Sequence, residues 1–89
     1  MKYSLILAAL ATSAAASSPE AWDTWRQEVA TTCLAALPDG QIAAIQVNPW
    51  GSESYGAAIL DLPSGERLVC IFDKRSKAAE LTAPFAPAD

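Results

Sequence analysis

The apolar residues in the first part of the chain recur with the period of a helix. They fall three or four positions apart along one face: Trp22, Trp25, Val29, Cys33 and then Ala36 or Leu37. Serine, proline and glutamate at residues 17–20 are typical of a helix start, because serine caps the first turn and proline is tolerated there. The Pro38-Asp39-Gly40 sequence then favours a stop. This pattern predicts a helix over residues 19–37, with Cys33 on its buried side.

After residue 40 the pattern changes to short apolar runs bounded by turn residues. Runs of this length, rich in Ile, Val, Leu and aromatic residues, predict strands at residues 41–48, 55–62 and 67–73. Pro63-Ser64-Gly65 favours a tight hairpin between the second and third, with Gly65 in the left-handed position. Residues 78–82 fit either a fourth strand or a helical turn.

These elements predict an α+β fold in which the N-terminal helix packs on a small antiparallel sheet of three or four strands. Cys33 and Cys70 are the only cysteines. In the third run, Cys70 alternates with the bulkiest apolar side chains, so it points toward the face that a helix covers. We therefore expect one disulfide joining helix to sheet. The rival interpretation, a thiol pair or metal site, requires carboxylate ligands at unusual spacing because the chain has no histidine.

The first residues carry the features of a secretory signal peptide. Lys2 precedes an apolar run over residues 5–11, and small residues at Ala14 and Ala16 precede Ser17. We expect a signal peptide over residues 1–16 with cleavage after Ala16, and no stable membrane insertion afterwards. The predicted organisation is then a disulfide-clipped domain over residues 17–83 and a flexible tail over residues 84–89. The alanine-rich signal favours a bacterial periplasmic or secreted location, where disulfides form.

Composition excludes several chemistries. The chain of 89 residues has six Lys+Arg against ten Asp+Glu, a net charge of −4, which disfavours nucleic-acid binding. The absence of histidine excludes Ser-His-Asp and Cys-His catalysis. The glycines match neither phosphate-loop nor dinucleotide-binding spacing, so we expect no cofactor and no metal. The chain is not expected to be an enzyme; a minimal carboxylate enzyme using Asp61 and Glu66 is the least favoured hypothesis.

The loop between the first two predicted strands carries the candidate binding residues, Trp50, Glu53 and Tyr55. Aromatic side chains on such loops anchor in partner proteins or stack on sugar rings, but for Trp50 the pattern favours covering an end of the core, with a binding surface as the alternative. The leading hypothesis is a small exported binding protein that acts as an accessory subunit or inhibitor of a periplasmic or secreted protein. The alternative is a glycan or cell-wall binding module that uses the same aromatics.

Three further predictions concern aromatic and basic residues. Trp22 and Trp25 are expected in the core because of their helical spacing with Val29. Arg26 falls inside the same apolar arc, and its stem is expected to follow the helix to solvent, with stacking on a tryptophan or pairing with an acid as the alternatives. The basic cluster at residues 74–77 is expected to be a solvated turn, with a docking patch for an acidic partner or anionic lipid as the alternative. Nothing in the pattern specifies the oligomeric state.

Overall fold

The computed structural model describes residues 18–86, which form one helix and four strands. The elements are α1 (Pro19–Ala35), β1 (Ala44–Val47), β2 (Tyr55–Asp61), β3 (Arg67–Asp73) and β4 (Ala79–Leu81). The strands form an antiparallel sheet in the order β1-β2-β3-β4, and α1 packs on one face of it. The predicted α+β fold is confirmed. The predicted signal peptide and the last three residues of the predicted tail lie outside the described residues.

Local signals at both ends of α1 explain its limits. The Ser18 hydroxyl oxygen accepts a hydrogen bond from the Ala21 amide at 3.1 Å, so serine caps the helix as predicted. The helix ends at Ala35, two residues earlier than predicted. The Leu37 amide bonds to the Leu34 carbonyl at 3.2 Å, which tightens the last turn, because Pro38 disfavours helical geometry at the residue before it. Among residues 18–86, no helix has both the length and the apolar character to cross a bilayer.

The strand limits follow from the pairing between neighbours. β2 and β3 pair over all seven residues of each, from Tyr55 opposite Asp73 to Asp61 opposite Arg67. Gly65 has φ 91°, the left-handed conformation expected for the predicted hairpin. The prediction for the first strand was too long: β1 begins at Ala44 because that residue already lies opposite the last residue of β2. Within the predicted residues 78–82, residues 79–81 form a strand that pairs with β3, and not a helical turn.

The core lies between α1 and the sheet. Its fully or almost fully buried side chains come from the predicted helical face and from alternate positions of β2 and β3: Val29, Cys33, Ala58, Leu60, Leu68, Cys70 and Phe72. The predicted disulfide is confirmed, since Cys33 and Cys70 are bonded, with Cα atoms 5.9 Å apart and no solvent exposure. The bond ties the C-terminal part of the helix to the centre of the sheet.

Gly56 in β2 allows the helix to approach the sheet closely at its N-terminal end. A Cβ atom at this position would lie 2.9 Å from the Trp25 ring and 3.1 Å from the Val29 side chain. Because glycine has no side chain here, the indole of Trp25 can lie directly against the strand. This contact brings the start of α1 next to the loop between β1 and β2.

Candidate functional site

Three segments that are distant in sequence meet at one end of the sheet. They are the N-terminal half of α1, the loop between β1 and β2 (residues 48–54) and the turn between β3 and β4 (residues 74–78). Their side chains form a group that we call the aromatic–cation cluster: Trp22, Trp25, Arg26, Trp50 and Lys74. This cluster contains all three tryptophans of the chain.

The three indole rings contact one another edge to face. Trp22 and Trp25 have ring centroids 5.4 Å apart at an interplanar angle of 88°. Trp22 and Trp50 are 5.1 Å apart at 85°. Perpendicular pairs of this kind are favoured by the ring quadrupole and contribute roughly 0.5–1.5 kcal/mol each beyond the buried area. Trp25 packs against the core as predicted, whereas Trp22, also predicted in the core, is only partly buried and links the loop tryptophan to Trp25.

Arg26 fastens the loop to the helix. Its guanidinium carbon lies 4.7 Å from the centre of the Trp50 ring. Its Nε donates to the Pro49 carbonyl at 2.8 Å, and its Nη1 pairs with Asp23 at 2.8 Å. Two of the alternatives considered for Arg26, stacking on a tryptophan and pairing with an acid, therefore occur together.

Lys74 makes the corresponding contacts from the sheet. Its ammonium group donates to the Ser52 carbonyl at 2.6 Å and lies 4.9 Å from the centre of the Trp25 ring and 5.7 Å from that of Trp22. Ammonium groups are attracted to indole faces, most strongly where solvent is partly excluded. Sequence reasoning assigned Lys74 to a solvated turn and missed this contact, because no local signal places β3 beside the tryptophans.

The loop is also ordered by its own hydrogen bonds. The Asn48 side-chain oxygen accepts from the amides of Trp50 at 3.1 Å and Gly51 at 2.8 Å. Gly51 has φ 67° and leaves no space for a Cβ atom beside the Tyr55 carbonyl. The amide of Ser52 donates to that same carbonyl at 2.7 Å. The backbone around Trp50 is thus held in one conformation.

The predicted binding residues divide between two sides of this end of the molecule. Trp50 lies on the helix side, where 58% of its surface remains exposed despite its ring contacts. Tyr55 is 47% exposed and begins β2, with its side chain on the sheet face opposite the helix. Glu53 and Tyr55 line an open cleft of about 510 Å³ together with Asp73 and Lys74, and Trp50 lies outside it.

The turn after β3 is held by hydrogen bonds to the Asp73 side chain. The Asp73 carboxylate accepts from the amides of Arg75 at 2.8 Å and Ser76 at 3.0 Å. The hydrogen bonds from the Ser76 and Arg75 backbones lower the pKa of Asp73 below its usual 3.8. The predicted basic cluster is divided, since Lys74 faces the tryptophans and Lys77 lies 3.4 Å from Glu28, while Arg75 is exposed.

The two carboxylates of the enzyme hypothesis lie at the opposite end of β2. Asp61 accepts from Arg67 Nε at 2.6 Å, and Glu66 accepts from the Ser64 hydroxyl at 3.2 Å. Among residues 18–86, no group of three or more Cys, Asp and Glu side chains is arranged to hold a metal ion. Comparison of the chain with family models, curated proteins and solved structures finds no match.

Proposed function

We propose that this chain is a small exported binding protein that acts on a periplasmic or secreted protein, as an accessory subunit or an inhibitor. The contact is made by the loop between β1 and β2, with Trp50 as the anchor on the helix side and with Glu53 and Tyr55 in the adjoining cleft. The observation that carries the proposal is that Trp50 is 58% exposed although the Asn48 side chain and Arg26 hold the loop around it.

An ordered and exposed tryptophan is suited to binding for two reasons. Tryptophan is enriched among the few interface residues that contribute most of the binding energy. Association also costs free energy for each loop and side chain that becomes immobile, and that cost is reduced when the free protein already holds them. The Asn48 cap and the contacts of Arg26 and Lys74 hold the backbone around Trp50 before a partner arrives.

The charges around Trp50 indicate what the partner presents. Arg26 is engaged by Asp23 and the Pro49 carbonyl, and Lys74 by the Ser52 carbonyl. Glu53 is exposed and lies in the neighbouring cleft. We therefore expect an apolar pocket on the partner for the indole, with an Arg or Lys beside it to pair with Glu53.

Support for export comes from the disulfide and from the predicted signal peptide. A structural disulfide is rare in the cytosol, where thiols are kept reduced, and persists outside it. The Cys33–Cys70 bond has no solvent exposure, which suits a structural role.

The test is capture of a partner from the periplasmic fraction of the host by the oxidised protein and by a Trp50→Ala variant. Loss of a central aromatic anchor is expected to weaken capture by roughly 30-fold or more, since such residues contribute about 2 kcal/mol or more. Trp50→Ala also removes the ring contacts with Trp22 and Arg26, so the melting point should fall by several degrees, and capture is compared at a temperature where both proteins are folded. The matched control is Ile42→Ala, which removes another exposed apolar side chain, 72% exposed, outside the loop. Unchanged capture by the folded Trp50→Ala variant would contradict the proposal.

The polar cleft favours glycan binding as the second candidate function. Glu53, Tyr55 and Asp73 place two carboxylates and a phenol hydroxyl in one cleft, where they can accept hydrogen bonds from sugar hydroxyls. Titration with peptidoglycan fragments, followed by tryptophan fluorescence, distinguishes the two functions. A saturable change that is lost in Tyr55→Ala supports the glycan module, and no change counts against it.

A further inference from the structure

The centre of the sheet face that turns away from α1 is apolar, and polar or charged side chains surround it: Gln46, Tyr55, Asp61, Arg67, Asp73 and Glu80. We call this side of the sheet the outer face; its apolar side chains are Ala57, Ile59, Val69, Ile71 and Phe85. Ile59 is 36% exposed, Ile71 40% and Phe85 56%. An antiparallel sheet with one covered face normally carries polar residues on the other. The centre of the outer face departs from that pattern.

The strand register places these residues side by side. Ala57 pairs with Ile71, and Ile59 pairs with Val69, across the centre of the β2–β3 ladder. Cross-strand partners share a face of the sheet, so the four side chains form one continuous patch. Phe85 extends the patch, because an isolated bridge to Arg67 sets it on the same face at the edge of β3.

We propose that the outer face is the interface of a homodimer, in which two copies pack sheet against sheet about a two-fold axis that runs along the strands. The dimer leaves Trp50 accessible, because its indole lies on the helix side of the sheet, whereas Tyr55 lies at the margin of the outer face. An isologous contact requires a surface that complements itself. The outer face meets this requirement in size and in charge.

Size complementarity is seen at the centre of the face. The axis sets β2 of each copy over β3 of the other, so that Ile71 lies over the partner's Ala57, and Ile59 lies over the partner's Val69. Large side chains thus meet small or medium ones, which lets the two layers interdigitate at a spacing of about 10 Å. At the margin, Phe85 lies over the partner's Ala44, since Ala44 is opposite Asp61 in the register.

Charge complementarity is seen at the hairpin end of the face. Asp61 and Arg67 are cross-strand partners and form an ion pair at 2.6 Å within one copy. The same axis places Asp61 over the partner's Arg67 and Arg67 over the partner's Asp61. The four charges then alternate in sign around a square, and each carboxylate gains a second cation without losing its first.

A two-fold axis across the strands fits less well. It places Arg67 over the partner's Asp73, but the Asp73 carboxylate already accepts two amides of its own turn. It also places Asp61 over the partner's Tyr55 and leaves it without a second cation. The axis along the strands is therefore the arrangement that the charges favour.

The dimensions of the face indicate the strength of the dimer. The seven-residue strands β2 and β3 are about 24 Å long. The sheet is about 14 Å wide between the axes of β1 and β4. A face of this size covers about 340 Å² per copy, less than the roughly 800 Å² per partner of a standard interface, so we expect a weak dimer with a dissociation constant in the high micromolar range. Both copies then carry Trp50 at the same end of the dimer, where two loops can engage a partner with two matching sites.

The first experiment measures the mass of the oxidised protein, as it accumulates in its host, by sedimentation equilibrium. The concentration series runs from about 1 µM to about 1 mM, which covers the range in which such a dimer forms. Ile71→Thr keeps a β-branched side chain but removes apolar area twice in each dimer, and it should weaken dimerisation by roughly tenfold or more. Ile42→Thr is the matched control, since residue 42 is exposed outside the outer face, and it should leave dimerisation unchanged.

The second experiment tests the register with charge reversals. Asp61→Arg alone sets arginine against the partner's Arg67, and Arg67→Asp alone sets aspartate against the partner's Asp61, so each variant should be monomeric. An equimolar mixture of the two should form a heterodimer, because every charge across the interface is then opposite in sign. Both variants lose the same ion pair within the chain, so recovery in the mixture cannot come from better folding.

Three results would overturn the proposal. They are a wild-type protein that stays monomeric through the concentration series, a dimer that survives Ile71→Thr, and a mixture of the charge variants that stays monomeric. Trp50→Ala should leave the dimer intact, so failure of the binding function and failure of the dimer are observed separately.

Discussion

Lys74 contacts more parts of the aromatic–cation cluster than any other single charged group described. Its ammonium group reaches the Ser52 carbonyl at 2.6 Å and two indole rings, on an element that is otherwise separate from the loop. The side chain is half-buried, so these contacts are only partly screened by water. The order of the loop that carries Trp50 therefore depends on a residue in the turn that follows β3.

Replacing Lys74 by methionine tests this dependence. Lys74→Met keeps the length of the side chain but removes its charge, so the hydrogen bond and both ring contacts are lost. We expect the free energy of unfolding to fall by about 1–2 kcal/mol. We also expect acrylamide to quench the tryptophan fluorescence more strongly, because the indole rings become more accessible. Arg75→Met is the control, since Arg75 is exposed and its side chain makes no contact with the cluster's rings. Equal quenching of the two variants would show that Lys74 does not order the loop.

At the scale of elements, the turn between β3 and β4 is held by Asp73. The carboxylate caps the amides of Arg75 and Ser76, and the Asp73 amide itself bonds to the Ala78 carbonyl at 2.9 Å. This turn returns the chain so that β4 pairs with β3. The sequence left residues 78–82 open between strand and helical turn, because three residues of β4 are too few to show a period.

The lowered pKa of Asp73 predicts a contribution to acid sensitivity. Because the folded-state pKa lies below 3.8, the unfolded chain takes up the proton first as the pH falls. The contribution is complete above the unfolded pKa and is lost as the pH falls through the folded one. Urea denaturation at about pH 7 and about pH 2.5 should show a larger loss of stability for the wild type than for Asp73→Asn. Asp39→Asn should behave as the wild type, and equal losses in all three would refute the cap.

At the scale of the whole molecule, one covalent bond joins the two layers. The Cys33–Cys70 disulfide closes a loop with a sequence separation of 37 residues. Closing a loop of this length restricts the unfolded chain and stabilises the fold by roughly 3–4 kcal/mol. Single domains are stable by only about 5–15 kcal/mol, so the bond contributes a large share.

Replacing both cysteines by alanine should therefore lower the free energy of unfolding by about 3–4 kcal/mol. Urea denaturation followed by circular dichroism measures the change, and reduction of the wild type should produce a similar loss. Alkylation without prior reduction provides an independent check on the native protein, because both sulfur atoms are held in the disulfide and neither should react. A double variant with the wild-type denaturation midpoint would show that packing alone maintains the fold.

The helix, the strands and the disulfide were predictable because their signals are local or unique. Five apolar residues at helical spacing identify the face of α1, and two cysteines allow only one pairing within a chain. The ends of the elements were less predictable. β1 begins where β2 supplies a partner, and α1 ends where its last turn tightens before Pro38, so both limits depend on neighbours.

The arrangement of the candidate site depends on contacts between residues far apart in the chain. Composition and spacing identified Trp50, Glu53 and Tyr55 as candidates, but not that Trp50 lies against Trp22 while Tyr55 turns to the other face. The contact between Trp50 and Trp22 depends on Gly56, which lets the helix approach the sheet, and on Lys74, which follows β3 and binds the loop. The spacing of apolar residues in a segment determines which of its faces is buried and which is exposed to solvent. The packing of those faces in the folded chain then decides which segments meet at one end of the sheet.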